Sequence, residues 1–140
     1  MTIDPIILDK ISNSFNSQGL MTTLCAQLGV VKSGYVEISA PITAAVAQQH
    51  GFGHAGLTFS IGDSAAGYAA LSVMAPDQEV LTVEMKINLI APAAGVRLVA
   101  IGEVIKTGRR LTVTKATVYA EDQDGTRKPV AILLGTMIPA

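Results

Sequence analysis

GLTFSIGDSAAGYAALSV, residues 56–73, contains no proline, and its Leu57, Ile61, Ala65, Tyr68, Ala69 and Ser72 recur at the i, i+3, i+4 spacing of a helix. The pattern predicts the longest helix of the chain, running from Gly56 to about Met74. Gly62 and Gly67 lower helix propensity, but they and the alanines remove side-chain bulk, so the helix axis can come close to a sheet. A helix so lightly clothed belongs at the centre of a fold, with the remaining elements wrapped around it.

Working outward, Leu81, Val83, Met85, Ile87 and Leu89 alternate with Thr82, Glu84, Lys86 and Asn88, which predicts a strand with one packed and one polar face. Strands follow over Val96–Ile105, Leu111–Ala120 and about Val130–Ile138, separated by turns at Thr107-Gly108-Arg109-Arg110 and Asp122-Gln123-Asp124-Gly125. Upstream, Tyr35–Ser39 alternates after a Ser33-Gly34 turn and stops at Pro41. Ile6, Ile7, Ile11 and Phe15 predict a short helix after Pro5, ending near Gly19 and packing on the rest. The fold class expected is α+β, an antiparallel sheet curled around one long helix in a single domain over residues 1–140, with residues 1–20 packed on it.

The composition narrows the function. With 10 Lys+Arg against 11 Asp+Glu, a net charge of -1 and no basic cluster beyond two adjacent residues, neither nucleic acid nor a membrane is an expected partner. Charged residues make up only 15% of the chain, against about 25% in ordinary soluble domains, which points to an oligomer. The single cysteine, Cys25, excludes an intrachain disulfide and any CxxC site, and residues 1–5 lack the basic start of a signal peptide, so a cytoplasmic location is expected.

Three features bear on chemistry. Asp63 falls among Ile61, Gly62, Ala65 and Ala66, and a carboxylate in such company is either paired with a neighbour such as Ser60 or put to use. The loop Gln48 to Gly56 leads into the helix N-terminus, where small residues at 53, 55 and 56 leave free backbone N–H groups open to an oxyanion. His50 and His54 have glycines between them and no third ligand, so no metal site is expected. No GxSxG, GxGxxG or GxxxxGK[ST] motif is present, which leaves carboxylate chemistry on a carbonyl without a metal.

Gln48-Gln49-His50-Gly51-Phe52-Gly53-His54-Ala55-Gly56, followed by Asp63-Ser64-Ala65-Ala66-Gly67-Tyr68-Ala69-Ala70, resembles the PaaI-type hotdog-fold acyl-CoA thioesterases. Leu81 to Ala93 and the turn Gly108 to Leu111 are similar as well. The resemblance implies the hotdog fold, dimers that join sheets edge to edge, and often a homotetramer as a dimer of dimers. It implies hydrolysis of an acyl-CoA to free acid and CoA at a site between subunits, with CoA part of the substrate and no separate cofactor. By position, Asp63 is then the catalytic base or nucleophile, the backbone N–H of Ala55 polarises the thioester carbonyl, and Gln48, His54 and Thr82 complete the catalytic group. Gly56 falls on the substrate, and Arg109 and Arg110 either meet the CoA phosphates or are solvated turn cations. The chain departs from the family in two places: Ala55 stands where many members have glycine, and Gln48 where some have asparagine. A non-catalytic acyl-CoA-binding or sensing protein is the alternative implied by the same fold.

Overall fold

The computed structural model describes residues 2–140. Helix α1 (Pro5–Ser17) starts where the Asp4 carboxylate accepts the Ile6 N–H at 2.8 Å, with proline in its first turn. Its stripe of Ile7, Ile11 and Phe15 is buried, whereas Ile6, read as part of that stripe, points to solvent. A five-residue helix, α2 (Gly19–Thr23), follows. Strands β1 (Gln27–Lys32) and β2 (Tyr35–Pro41) then form a hairpin through Gly34, whose φ of 76° is one that glycine adopts without strain.

The central helix α3 (Ala55–Leu71) stops three residues before the expected Met74, because Ser72 ends it. The Ser72 hydroxyl donates to the Ala69 carbonyl at 2.6 Å and accepts the Gly34 N–H at 2.7 Å, so one side chain stops the helix and ties down the β1–β2 turn. Four strands follow: β3 (Val80–Leu89), β4 (Arg97–Thr107), β5 (Thr112–Glu121) and β6 (Arg127–Pro139). With β1 and β2 they make one antiparallel sheet in the order β1-β2-β4-β5-β6-β3, wrapped around α3. The expected α+β architecture is present, but β3 pairs with β6 rather than with its chain neighbour β4. The Pro92-containing loop between β3 and β4 is not a hairpin; it carries the chain from one edge of the β4-β5-β6 meander to the other.

The alternation of β3 also breaks. A bulge between Thr82 and Glu84 leaves Val83 as the extra residue: Thr82 faces Met137, and Glu84 faces Thr136. Met137, Gly135 and Leu133 of β6 turn toward the core, so the β3 residues opposite them, Thr82, Met85 and Ile87, share the inward face. Leu81 and Val83, expected to pack with Met85, are each 55% exposed.

How close α3 lies to the sheet is set by glycine on the sheet as much as on the helix. A Cβ on Gly102 of β4 would sit 2.3 Å from the Ala65 backbone, and one on Gly62 would sit 2.9 Å from Leu133. Around this contact Ile11, Ile38, Ile61, Leu98 and Leu133 are fully buried. No helix among the described residues is long and apolar enough to cross a membrane.

Gly102→Ala should therefore destabilise the fold through backbone that cannot yield. A loss of about 3 kcal/mol, at the upper end of ordinary overpacking, corresponds to a fall of roughly 10 °C in melting temperature for a domain of this size. A melt within 2 °C of the parent by circular dichroism would show that the helix can move off the sheet.

Candidate active site

The loop before α3 is folded to present the helix end. Gln48 N–H donates to Phe52 O at 2.8 Å, Gly51 N–H to Gln48 O at 3.0 Å, and Gly51 has a φ of 87°. On either side of the loop mouth, Gly53 N–H donates to Ala93 O and His54 N–H to Val46 O, both at 2.9 Å. The Gln48 side-chain oxygen accepts the His50 N–H, which leaves the Gln48 amide N–H groups for another partner.

His54 caps the helix: its Nδ1 accepts the Gly56 N–H at 2.7 Å. An imidazole accepting at Nδ1 carries its proton on Nε2, so the cap fixes the tautomer. It also gives Gly56 a reason to be glycine, since a Cβ there would lie 3.0 Å from that nitrogen. The Gly56 N–H is thereby taken, and the N–H of Ala55, one residue earlier, has no partner among the described residues. It opens on a cavity of about 600 Å³ lined by Gln48, Phe52, His54, Leu89 and Pro92.

Asp63, two turns further along α3, faces a different cavity. That space is about 260 Å³ and is lined by Ser14, Gln18, Tyr68 and Thr82 among others. The Thr82 hydroxyl donates to Asp63 Oδ1 at 2.9 Å, a contact made possible by the Val83 bulge, which turns Thr82 to the helix side of β3. Burial raises the Asp63 carboxyl above the ordinary carboxylate value of 3.8, and the Thr82 hydrogen bond opposes that rise. Ser60, the other partner considered for Asp63, bonds back to Gly56 O instead.

The structure thus brings Gln48, His54 and Ala55 to one cavity and Asp63 with Thr82 to another. Eight residues of helix separate Asp63 from Ala55, an axial distance of about 12 Å, too far for one carbonyl to touch both. Arg109 and Arg110 are exposed at the β4–β5 turn, beside Val73 and Met74 beyond the C-terminus of α3, and neither is in an ion pair among the described residues. No group of three His, Cys, Asp or Glu among the described residues is placed to hold a metal. Ser14, Gln18, Ser64 and Tyr68, which line the Asp63 cavity, received no role from the sequence. The only signal for them was that the apolar stripe of α1 must dock somewhere, and it docks beside α3.

A family model described as the thioesterase superfamily matches residues 50–126. A thioesterase family protein from Silicibacter pomeroyi is 43% identical to this chain; its crystal structure superposes with a TM-score of 0.91 over 95% of this chain and 97% of that one. The PaaI protein from the phenylacetic acid degradation operon of E. coli shares the fold at 18% identity, with a TM-score of 0.85 over 99% and 96% of the two chains. A Bacillus halodurans protein whose structure was determined with CoA shares it at 20% identity, with a TM-score of 0.76 over 96% and 88%. None of the curated proteins matches the chain.

Asp63 should titrate above an ordinary carboxyl when followed by side-chain carbon NMR, and Thr82→Val should move its midpoint further up by removing the one hydrogen bond that lowers it. Because the folded chain holds this proton more tightly than the unfolded one, the group favours folding most at acid pH. That contribution is lost as pH rises through the folded value. A midpoint that falls in Thr82→Val would contradict the assignment.

Proposed function

The chain belongs to the thioesterase superfamily, and from that premise we propose that it hydrolyses an acyl-CoA thioester to free acid and CoA at a site assembled from two copies of itself. The observation that carries the proposal is the position of the two half-sites at opposite ends of one strand. Thr82, with Asp63 bonded to it, lies near the start of β3, and Leu89, which shares a cavity with Ala55, lies at its end. Strand β3 is an edge of the sheet, ten residues long, and an edge of that kind is a template for pairing. Two-fold antiparallel pairing centred between Met85 and Lys86 sets Thr82 of one copy beside Leu89 of the other. Asp63 then meets the free N–H of Ala55 of the partner subunit. The low charge fraction and the exposed Leu81 and Val83 support the same dimer.

In such a site the thioester carbonyl lies with its oxygen on the Ala55 N–H, at the positive end of α3, where charge that develops on that oxygen is stabilised. Thr82 occupies Asp63 Oδ1, so the other carboxylate oxygen is free to take a proton from water as the water adds to the carbonyl carbon, or to add to that carbon itself. Collapse of the tetrahedral adduct breaks the carbon–sulfur bond and releases CoA as its thiolate. The raised carboxyl pKa makes Asp63 a stronger base than a solvated carboxylate. His54 holds the helix end in place through its cap, Gln48 offers its amide N–H groups to water or substrate, and the unpaired Arg109 and Arg110 suit the phosphates of CoA.

Two single variants and their mixture test both the chemistry and the assembly. Asp63→Asn keeps the shape but not the basicity, and should lower kcat by on the order of 10² to 10⁴ with no loss of melting temperature. Ala55→Pro deletes the N–H at the first helical position, where proline fits, and His54 before it is already extended at φ -65° and ψ 146°. Each variant alone should be nearly inactive. Co-refolded in equal amounts, they should recover about a quarter of the parent rate, because half of random dimers contain one intact site out of two. No recovery on mixing would place each site within one chain, and CoA binding by a parent that releases no thiol from any acyl-CoA would leave a binding protein.

A further inference from the structure

Gly67 is a glycine that packing does not require. It lies in the interior of α3, where glycine is the poorest choice after proline, yet a Cβ on it would have nothing within 4 Å. Gly102, by contrast, is held to glycine by the Ala65 backbone, and a Cβ on Gly62 would press on the Leu133 side chain. Gly67 stands four residues after Asp63, on the same helix face, and the space its missing side chain leaves belongs to the cavity of about 260 Å³ at that carboxylate.

The walls of that cavity are polar and tied together. Gln18 Nε2 donates to the Tyr68 hydroxyl at 3.1 Å, Ser14 Oγ lies 3.0 Å from the same hydroxyl, and Ser64 Oγ donates to Gln18 Oε1 at 3.2 Å. Tyr68 is buried, and its ring lies against Phe15 with centroids 6.3 Å apart, so the far wall is fixed by α1. Gln18 keeps one N–H, and the serine hydroxyls keep lone pairs, for a further partner. A saturated chain filling this space would strip water from those groups and return no hydrogen bond. The volume also lies below the roughly 300 to 1,000 Å³ of pockets for larger ligands.

We propose that the space over Gly67, walled by Ser14, Gln18, Ser64 and Tyr68, is the acyl chamber, and that it selects a short acyl group carrying a hydroxyl or similar hydrogen-bonding substituent at its far end. This rests on the thioester reading above and specifies its substrate class. The test compares kcat/KM for acetyl-CoA, butyryl-CoA, the terminally hydroxylated analogue of butyryl-CoA, and octanoyl-CoA, by the free thiol released with enzyme over that released without it, because the hydroxylated chain also closes to its lactone and expels CoA unaided. The hydroxylated substrate should exceed butyryl-CoA by about tenfold, the worth of one hydrogen bond in a dry site, and octanoyl-CoA should be the poorest. Gln18→Leu should bring that ratio near one, a comparison made within one protein sample and so independent of its folded fraction. Gly67→Ala, which favours the helix, should raise the melting temperature while lowering kcat/KM progressively from acetyl to butyryl. Equal rates for butyryl-CoA and its hydroxylated analogue in the parent, or a Gly67→Ala effect that ignores acyl length, would overturn the chamber and leave the thioesterase reading standing. Absence of thiol release from every substrate would overturn both.

Discussion

The contact between Gly102 of β4 and the Ala65 backbone of α3 sets the dimensions of everything else. A Cβ at Gly102 would run into that backbone and push the helix off the sheet, whereas one at Gly62 would press on the ends of the Leu133 side chain. With the axis this close, the buried faces of α3 are filled by alanine, glycine and a few aliphatic side chains, and eleven of its residues are buried. Only the helix N-terminus and a strip around Asp63 and Ser64 remain for polar work. The position of the candidate site is therefore a result of core packing: the helix can offer chemistry only where the sheet does not cover it.

Strand β3 covers part of that strip, and its bulge decides how. Without the extra residue at Val83, Thr82 would stand on the opposite face from Met85 and Ile87, and the Asp63 carboxylate would lose the Thr82 hydrogen bond. Leu81 and Val83 are turned outward by the same irregularity, so one inserted residue both orients a hydroxyl inward and puts apolar side chains on the outer surface beside an open edge. The hydroxyl suits the chemistry proposed for Asp63, and the apolar surface suits the association proposed with a second copy.

What was legible in the sequence follows from the range of each signal. Helical spacing and period-two alternation are local, and α1, α3 and most strands were read within a few residues. Strand β1 was missed because Gln27–Lys32 has a glycine in its middle and no clean alternation, its register shifting between Leu28 and Val31. The bulge is silent in the sequence, since Leu81 to Leu89 alternates without a break while the backbone does not. The pairing of β3 with β6 could not be read from turn lengths, which suggest neighbours along the chain. At the site, Asp63 and the free helix end came from composition and spacing, and their roles from a family resemblance. The cluster of Ser14, Gln18, Ser64 and Tyr68 joins residues 46 to 54 positions apart, beyond the reach of any pattern within one element.

The partnership of β3 with β6 also fixes an order of events as the chain is made. Thr82 emerges early, but its strand finds its ladder only when Met137, 55 residues later, is available. Until then α3 has β2 and the first strands of the meander to dock on, whereas β3 has the helix but no strand beside it. Long-range pairing of this kind is the slow part of building a sheet. The strand that waits longest for its ladder is the same one whose outer edge is open in the finished fold.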